Sequence, residues 1–325
     1  MRFSTGYDKD ASLLVVIHIS LSLVMKKPMS TPRLMRQGLT SLAATAAILT
    51  TAVRAEAQDN NAFYEIETKY IFGFTIGSSI GIEGEKAFEP DTVANFGKRN
   101  GSYAATETEL EFEFTPNQFM QIELGPTVSY YNIHNVTDID DRSMGSLNGF
   151  EADVRYLVLD RGLSPFAVTL SAEPEYHSLD ETTGQKVVNY GLETRIEADA
   201  ELIKNRLWLG LNLLYEPETT RADLGQWDKE STLGLSTALA FQIIPKVTVG
   251  AEMWYLRHYD GLSFNTFTGD AVYLGPTFYY QIAPKMLVSA AWDFQVAGHE
   301  PGVLPALDLT DFSRQRARLL LEFEF

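Results

Sequence analysis

The sequence predicts an all-β protein: a closed antiparallel transmembrane β-barrel of about 12 strands, with 10 or 14 also fitting. Three observations predict it. Apolar and polar residues alternate with period two over long runs. Short turn-like connections take turns with long polar ones. Aromatic residues gather near the ends of the runs, as they do at membrane interfaces.

The alternation is clearest late in the chain. Leu233, Leu235, Leu239 and Phe241 oppose Gly234, Ser236, Ala238 and Ala240. Val247, Val249, Ala251, Met253 and Tyr255 oppose Thr248, Gly250, Glu252 and Trp254. Met286, Val288, Trp292, Phe294 and Val296 oppose Ser289, Asp293 and Gln295. Read from the amino terminus, the strands are 63–83, 103–114, 119–133, 147–159, 165–177 and 190–202. The remainder are 206–216, 231–242, 247–258, 271–282, 286–297 and 313–325.

Turn residues mark the short connections at Thr115-Pro116-Asn117-Gln118, Asp160–Ser164, Lys204-Asn205, Pro245-Lys246 and Pro284-Lys285. The long connections are 84–102, 134–146, 178–189, 217–230, 259–270 and 298–312; the first could fold inward. Pro126, Pro174 and Pro276 fall inside strands. A closed barrel has no edge to hide a missing amide donor, so each is expected at a bulge or a strand end. A soluble sandwich or lipocalin also alternates, but seldom needs a dozen strands this long.

Residues 1–57 read as a signal peptide with extra upstream residues, the start codon being Met25, Met29 or Met35. Lys26, Lys27, Arg33 and Arg36 precede the apolar core Leu39–Val53, and Ala55-Glu56-Ala57 is a small-x-small cleavage site. Residues 58–325 then form a single barrel domain. Seven of 26 basic and three of 43 acidic residues lie in 1–57, leaving 19 and 40 and a net charge of −21. That disfavours nucleic acid as a partner. With no cysteine there is no disulfide or thiolate metal site.

TELEFEF (108–114) and LLLEFEF (319–325) both place carboxylates on one strand face and apolar residues on the other. The second resembles the carboxy-terminal assembly signal of Gram-negative outer-membrane barrels. Leu319, Leu321, Phe323 and Phe325 match it, and Leu320 replaces the small residue often found there. IFGFTIGSSIG (71–81) and VSAAWDFQVAGH (288–299) look like segments of uncharacterised barrels of that kind. The resemblance implies a porin-like or transporter-like barrel in the cell outer membrane, inserted by the barrel-assembly machinery. Its surroundings would be the lipid bilayer and lipopolysaccharide.

The lumen-facing parity collects an acidic wall: Glu65, Glu67, Glu107, Glu109, Glu111, Glu113, Glu123, Glu322 and Glu324. It also collects a basic ladder of Lys69, Arg314, Arg316 and Arg318, expected to face those glutamates across the closing seam. The expected function is a passive channel or small-solute transporter favouring small polar or cationic solutes. A salt-bridged structural barrel is the alternative. A lipid-modifying hydrolase is a third, but His134, His177, His258 and His299 show no serine–histidine spacing. No cofactor is expected. A rim metal site of His177 or His258 with Glu175 or Asp260 matches no zinc spacing, and Asp138–Asp141 is a weak calcium signal.

Overall fold

The computed structural model describes residues 63, 66–222, 225–303 and 306–325. The signal peptide at 1–57 and Glu65 lie outside the described residues. Twelve antiparallel strands close into one barrel. They are β1 (Lys86–Phe96), β2 (Ser102–Asn117), β3 (Met120–His134), β4 (Arg142–Leu159), β5 (Ala167–Leu179) and β6 (Lys186–Ile203). They continue with β7 (Leu207–Ala222), β8 (Asp228–Ile244), β9 (Val247–Asp260), β10 (Thr266–Ala283), β11 (Met286–His299) and β12 (Gln315–Glu324). Each strand pairs with its neighbours in the chain, and β1 closes on β12.

The period-two pattern sets which face meets lipid. Along β3, Gln121, Glu123, Thr127 and Ser129 are buried in the lumen, while Leu124, Val128 and Tyr130 stand exposed outside. The same division leaves Leu192, Ile196, Leu213, Leu235, Met253, Leu274 and Phe278 on the outer surface. Such a surface suits hydrocarbon, because the strand backbones hydrogen-bond to each other and only apolar side chains face out. One end of the barrel carries the short turns, and Phe325 ends the chain there, bonded through its amide to the carbonyl of Lys86. Phe112 and Phe114 share this rim, since β2 pairs Phe114 with Lys86 and Phe112 with Phe88. Residues 97–101, 135–141, 180–185 and 300–314 connect strands at the other end.

The first strand is not where the alternation suggests. The described residues of 63–83 form no strand, and the expected loop 84–102 contains β1. Two features of β1 disguise it: Pro90 in its middle, and an outer face made of Phe88, Pro90, Thr92, Ala94 and Phe96 that is only partly apolar. The strand total survives because the two errors cancel.

Of the three mid-strand prolines only Pro126 sits beside a bulge, a register shift at Thr127/Val128 in its ladder to β4, and none marks a strand end. Around each, the ladder to one neighbour lapses for two residues and resumes in the same register. Glu109 pairs with Thr127 and Phe112 with Leu124 around Pro126. Glu151 pairs with Glu175 and Val154 with Ala172 around Pro174. Leu274 pairs with Phe294 and Thr277 with Ala291 around Pro276. A proline lacks one N–H, so it costs the ladder one local contact and leaves the strand otherwise intact.

Candidate functional site

Residues 66–85 form a re-entrant segment that fills the turn-end half of the lumen. It starts beside the β6–β7 turn, where Arg206 stacks on the Phe63 ring at 3.8 Å. It reverses at Gly73, whose φ of +90° suits glycine; a Cβ there would strike Glu252 Oε1 and Ala291. It returns to the turn end, where the Gly84 amide donates to the Thr115 carbonyl and β1 begins.

Irregular backbone at membrane depth must find partners for its polar groups inside the protein. The barrel wall supplies them. Glu252 accepts from the amides of Phe74 and Thr75 at 2.9 and 2.8 Å. Asn212 accepts from the Ile76 amide and donates to the Ile76 carbonyl, both at 2.7 Å. Asp199 accepts from Thr68 Oγ1 at 2.6 Å, and from the amide and hydroxyl of Ser78 at 2.7 Å each. Ser289 donates to the Tyr70 carbonyl at 2.6 Å, and Arg155 to that of Gly77 at 2.7 Å. Beneath these bonds Ile66, Tyr70, Ile71, Phe72 and Ile76 pack on Trp208, Ala238, Ala240, Leu287 and Leu320. The inner-face position of Leu320 accounts for its departure from the assembly signal: it packs on the plug.

Lys69 belongs to this plug rather than to a strand. It is 3% exposed, with Nζ 2.7 Å from Glu113 and from Glu123 and 3.3 Å from Glu89. Glu89 is an acid that the alternation does not reveal, because Pro90 and a half-polar outer face make β1 resemble a loop. Glu67 is exposed, and Glu322 is buried. Glu324 lies at the turn-end rim opposite Ala87.

The arginines do not form one ladder facing the β2 glutamates. Arg318 pairs with Asp91 at 2.6 Å and donates to the Gly73 carbonyl. Arg316 instead binds Asp293 at 2.8 Å and lies against the rings of Phe74 and Tyr273. Arg314 precedes β12 and is exposed. The ladder breaks because Arg316 turns to Asp293 on β11 and Arg318 to Asp91 on β1, although Arg318 still shares a cavity with Glu107, Glu109 and Glu111.

Above the plug lies a cavity of about 240 Å³, floored by Lys69, Tyr70, Phe74 and Ile76. Among the described residues its wall holds thirteen carboxylates against Lys69, Arg155, Arg195 and Arg318. All four of those cations are paired: Lys69 with Glu123 at 2.7 Å, Arg155 with Glu197 and Arg195 with Glu193 at 2.5 Å, and Arg318 with Asp91. Glu109, Glu111, Glu173, Glu175 and Glu216 remain in excess. Of the predicted wall, Glu107, Glu109, Glu111 and Glu123 line this cavity, while Glu113 lies below it on Lys69. His177 and His258 point inward, as the alternation implies. His177 sits 2.7 Å from Glu151, and His258 contacts Thr268 and Glu230.

The outer mouth is partly covered by the β11–β12 connection. Gln295 donates to the Asp308 carbonyl at 2.7 Å, and Lys98 donates to the carbonyls of Thr310 and Phe312 at 3.0 and 3.2 Å.

This closed barrel, apolar outside and polar within, is an outer-membrane β-barrel. Its residues 64–325 match the model of a family of unknown function, DUF6662, and the chain belongs to that family. No curated protein matches it. Among solved structures it is similar to the COG4313 outer membrane channel from Pseudomonas putida F1, at 8% identity and TM-score 0.52. That alignment covers 76% of this chain and 97% of the other. At such identity the likeness is one of fold. The translocator domain of the autotransporter NalP from Neisseria meningitidis also matches, with 11% identity, 88% and 98% coverage and TM-score 0.46. The KdgM porin in complex with disordered oligogalacturonate aligns at 11% identity, 74% and 99% coverage and TM-score 0.42.

Proposed function

We propose that this barrel is a gated outer-membrane channel for small cations or cationic polar solutes. The observation that carries the reading is the cavity, whose carboxylates outnumber its cations and whose floor is a re-entrant segment rather than barrel wall. A wall charged with one sign concentrates counter-ions and repels anions. A plug held by side-chain contacts can shift without unzipping any strand pair. Conduction therefore requires residues 66–83 to move, and the acidic vestibule selects what waits above them.

The test is reversal potential across a planar bilayer under a salt gradient. Wild-type protein is expected to favour cations, and Glu109→Gln with Glu173→Gln to move the ratio toward unity. Anion preference, or a preference untouched by both changes, would sink the reading. A second reading, a permanently braced barrel, draws on the density of plug contacts described above. It predicts no conductance at any salt concentration.

A further inference from the structure

We propose that His177, Glu175 and Glu181 form a binding site for a divalent transition cation of the zinc class at the outer end of the cavity. This stands whether or not the barrel conducts. Glu175 and His177 lie two apart on β5, so both face the lumen. Glu181 follows on the β5–β6 turn. One ligand atom of each lies within 4.8 Å of the other two.

His177 points to a ligand rather than to mere acid crowding. The ring is 2% exposed. Its Nε2 is 2.7 Å from Glu151 Oε1; with Glu151 ionised the carboxylate only accepts, which puts the proton on Nε2. Nδ1 is buried and has no hydrogen-bond partner. In that tautomer it offers a lone pair, and it faces Glu181 Oε1 at 3.6 Å. Two acceptors that face each other need a positive centre between them. A proton on Nδ1 would span 3.6 Å poorly. Two ligands about 2.0–2.1 Å from a tetrahedral zinc lie about 3.3–3.5 Å apart, close to the spacing seen. A carboxylate on the far ring nitrogen is also how metal-binding histidines are oriented, which makes Glu151 a positioning residue.

The turn that carries Glu181 is held in place. Asp180 Oδ1 accepts from the amide and the hydroxyl of Thr183, both at 2.7 Å. Tyr103 donates to the Thr182 carbonyl at 3.0 Å, and Arg142 to that of Gly184 at 2.8 Å. The Glu181 side chain is 55% exposed, so the site can fill from the loop side. Across the β5–β6 ladder, Asn189 pairs with His177, and its buried Oδ1 is also without a partner. Zinc spacing in the sequence could not show this, because the ligands come from a strand face and the turn beyond it.

The experiment is calorimetric titration of metal-stripped, detergent-solubilised barrel with Zn²⁺ alone, and separately with Ca²⁺. One zinc per barrel is expected, with calcium much weaker because a nitrogen ligand favours zinc. His177→Ala should abolish binding, and Glu151→Gln should weaken it about 10–100-fold. Heat-modifiable migration on gels checks that each variant is folded. Glu181→Gln changes only an exposed turn, so it decides the matter even if His177→Ala fails to insert: loss of affinity supports the site. Absence of saturable zinc binding, wild-type affinity in Glu181→Gln, or calcium binding equal to zinc would overturn it.

Discussion

The two halves of the lumen use the same kind of residue for different ends. In the turn-end half, carboxylates meet donors: Asp199 and Glu252 take backbone amides, and Glu89, Glu113 and Glu123 surround Lys69. In the loop-side half, Glu109, Glu111, Glu173 and Glu216 line a cavity with too few cations to match them. The difference lies in what the chain places opposite each wall. A re-entrant segment offers N–H groups that must be satisfied, so its acids become structural. Where no segment reaches, the same alternation leaves a field that acts on whatever enters.

The largest expected effect comes from erasing that contrast at Lys69. Lys69→Met leaves three buried carboxylates facing one another, and breaking a buried charge cluster in this way costs about 3–5 kcal/mol. That cost falls on docking of the plug, since the strand ladders do not involve Lys69. Residues 66–83 should become open to protease, and bilayer conductance should rise. A protected segment with unchanged conductance would show that the two halves are not held apart by this contact.

The outer surface was legible in the sequence because period two is a local property. Leu124, Val128 and Leu235 announce their lipid-facing side within a few residues. The plug was not legible, because 71–81 has the aromatic and small residues of a strand, and only the groups around it tell where its amides bond. Lys69 has inward parity, yet it sits on the plug and not on a strand. Glu109 and Glu113 looked alike along β2, yet one faces the cavity and the other faces Lys69. The small inner-face residues Gly210, Ala238 and Ala240 were the available signal: a barrel wall that recedes leaves room for something to fill it.

A matched pair of glycines sharpens the comparison at smaller scale. A Cβ on Gly210, in the plugged half, would lie 3.0 Å from the Phe72 ring. The ring is fully buried and has little room to give. A Cβ on Gly191, in the cavity half, would meet Glu175 Oε2 at 2.9 Å, the tip of a side chain that can swing away. Gly210→Ala should therefore cost about 1–3 kcal/mol by overpacking. Gly191→Ala should be neutral or slightly stabilising, since alanine restricts the unfolded chain more than glycine does. Urea unfolding of the two folded variants measures the difference, and equal effects would mean that both halves pack alike.

The smallest expected effect concerns an acid that belongs to neither half. Asp308, on the connection covering the outer mouth, is buried with Oδ2 lacking a partner, while its Oδ1 accepts from the Thr310 amide at 3.1 Å. Burial, and then the charge of Asp311 beside it, push its pKa up from 3.8 to about 6. A carboxyl raised on docking holds its proton more tightly docked than free. Its contribution is thus fully present below the free value and is lost as pH rises through about 6. Hydrogen exchange across 306–313, corrected for intrinsic rate, should be slower at about pH 5 than at about pH 7. Asp308→Asn should flatten that dependence, because an amide offers a donor where the acid needs its proton. Nearby Asp311, Glu300, Lys98 and His258 are unchanged in that variant, so a pH dependence that persists would assign the effect to them. In that case Asp308 would be a third kind of luminal acid, satisfied by neither a proton nor a donor.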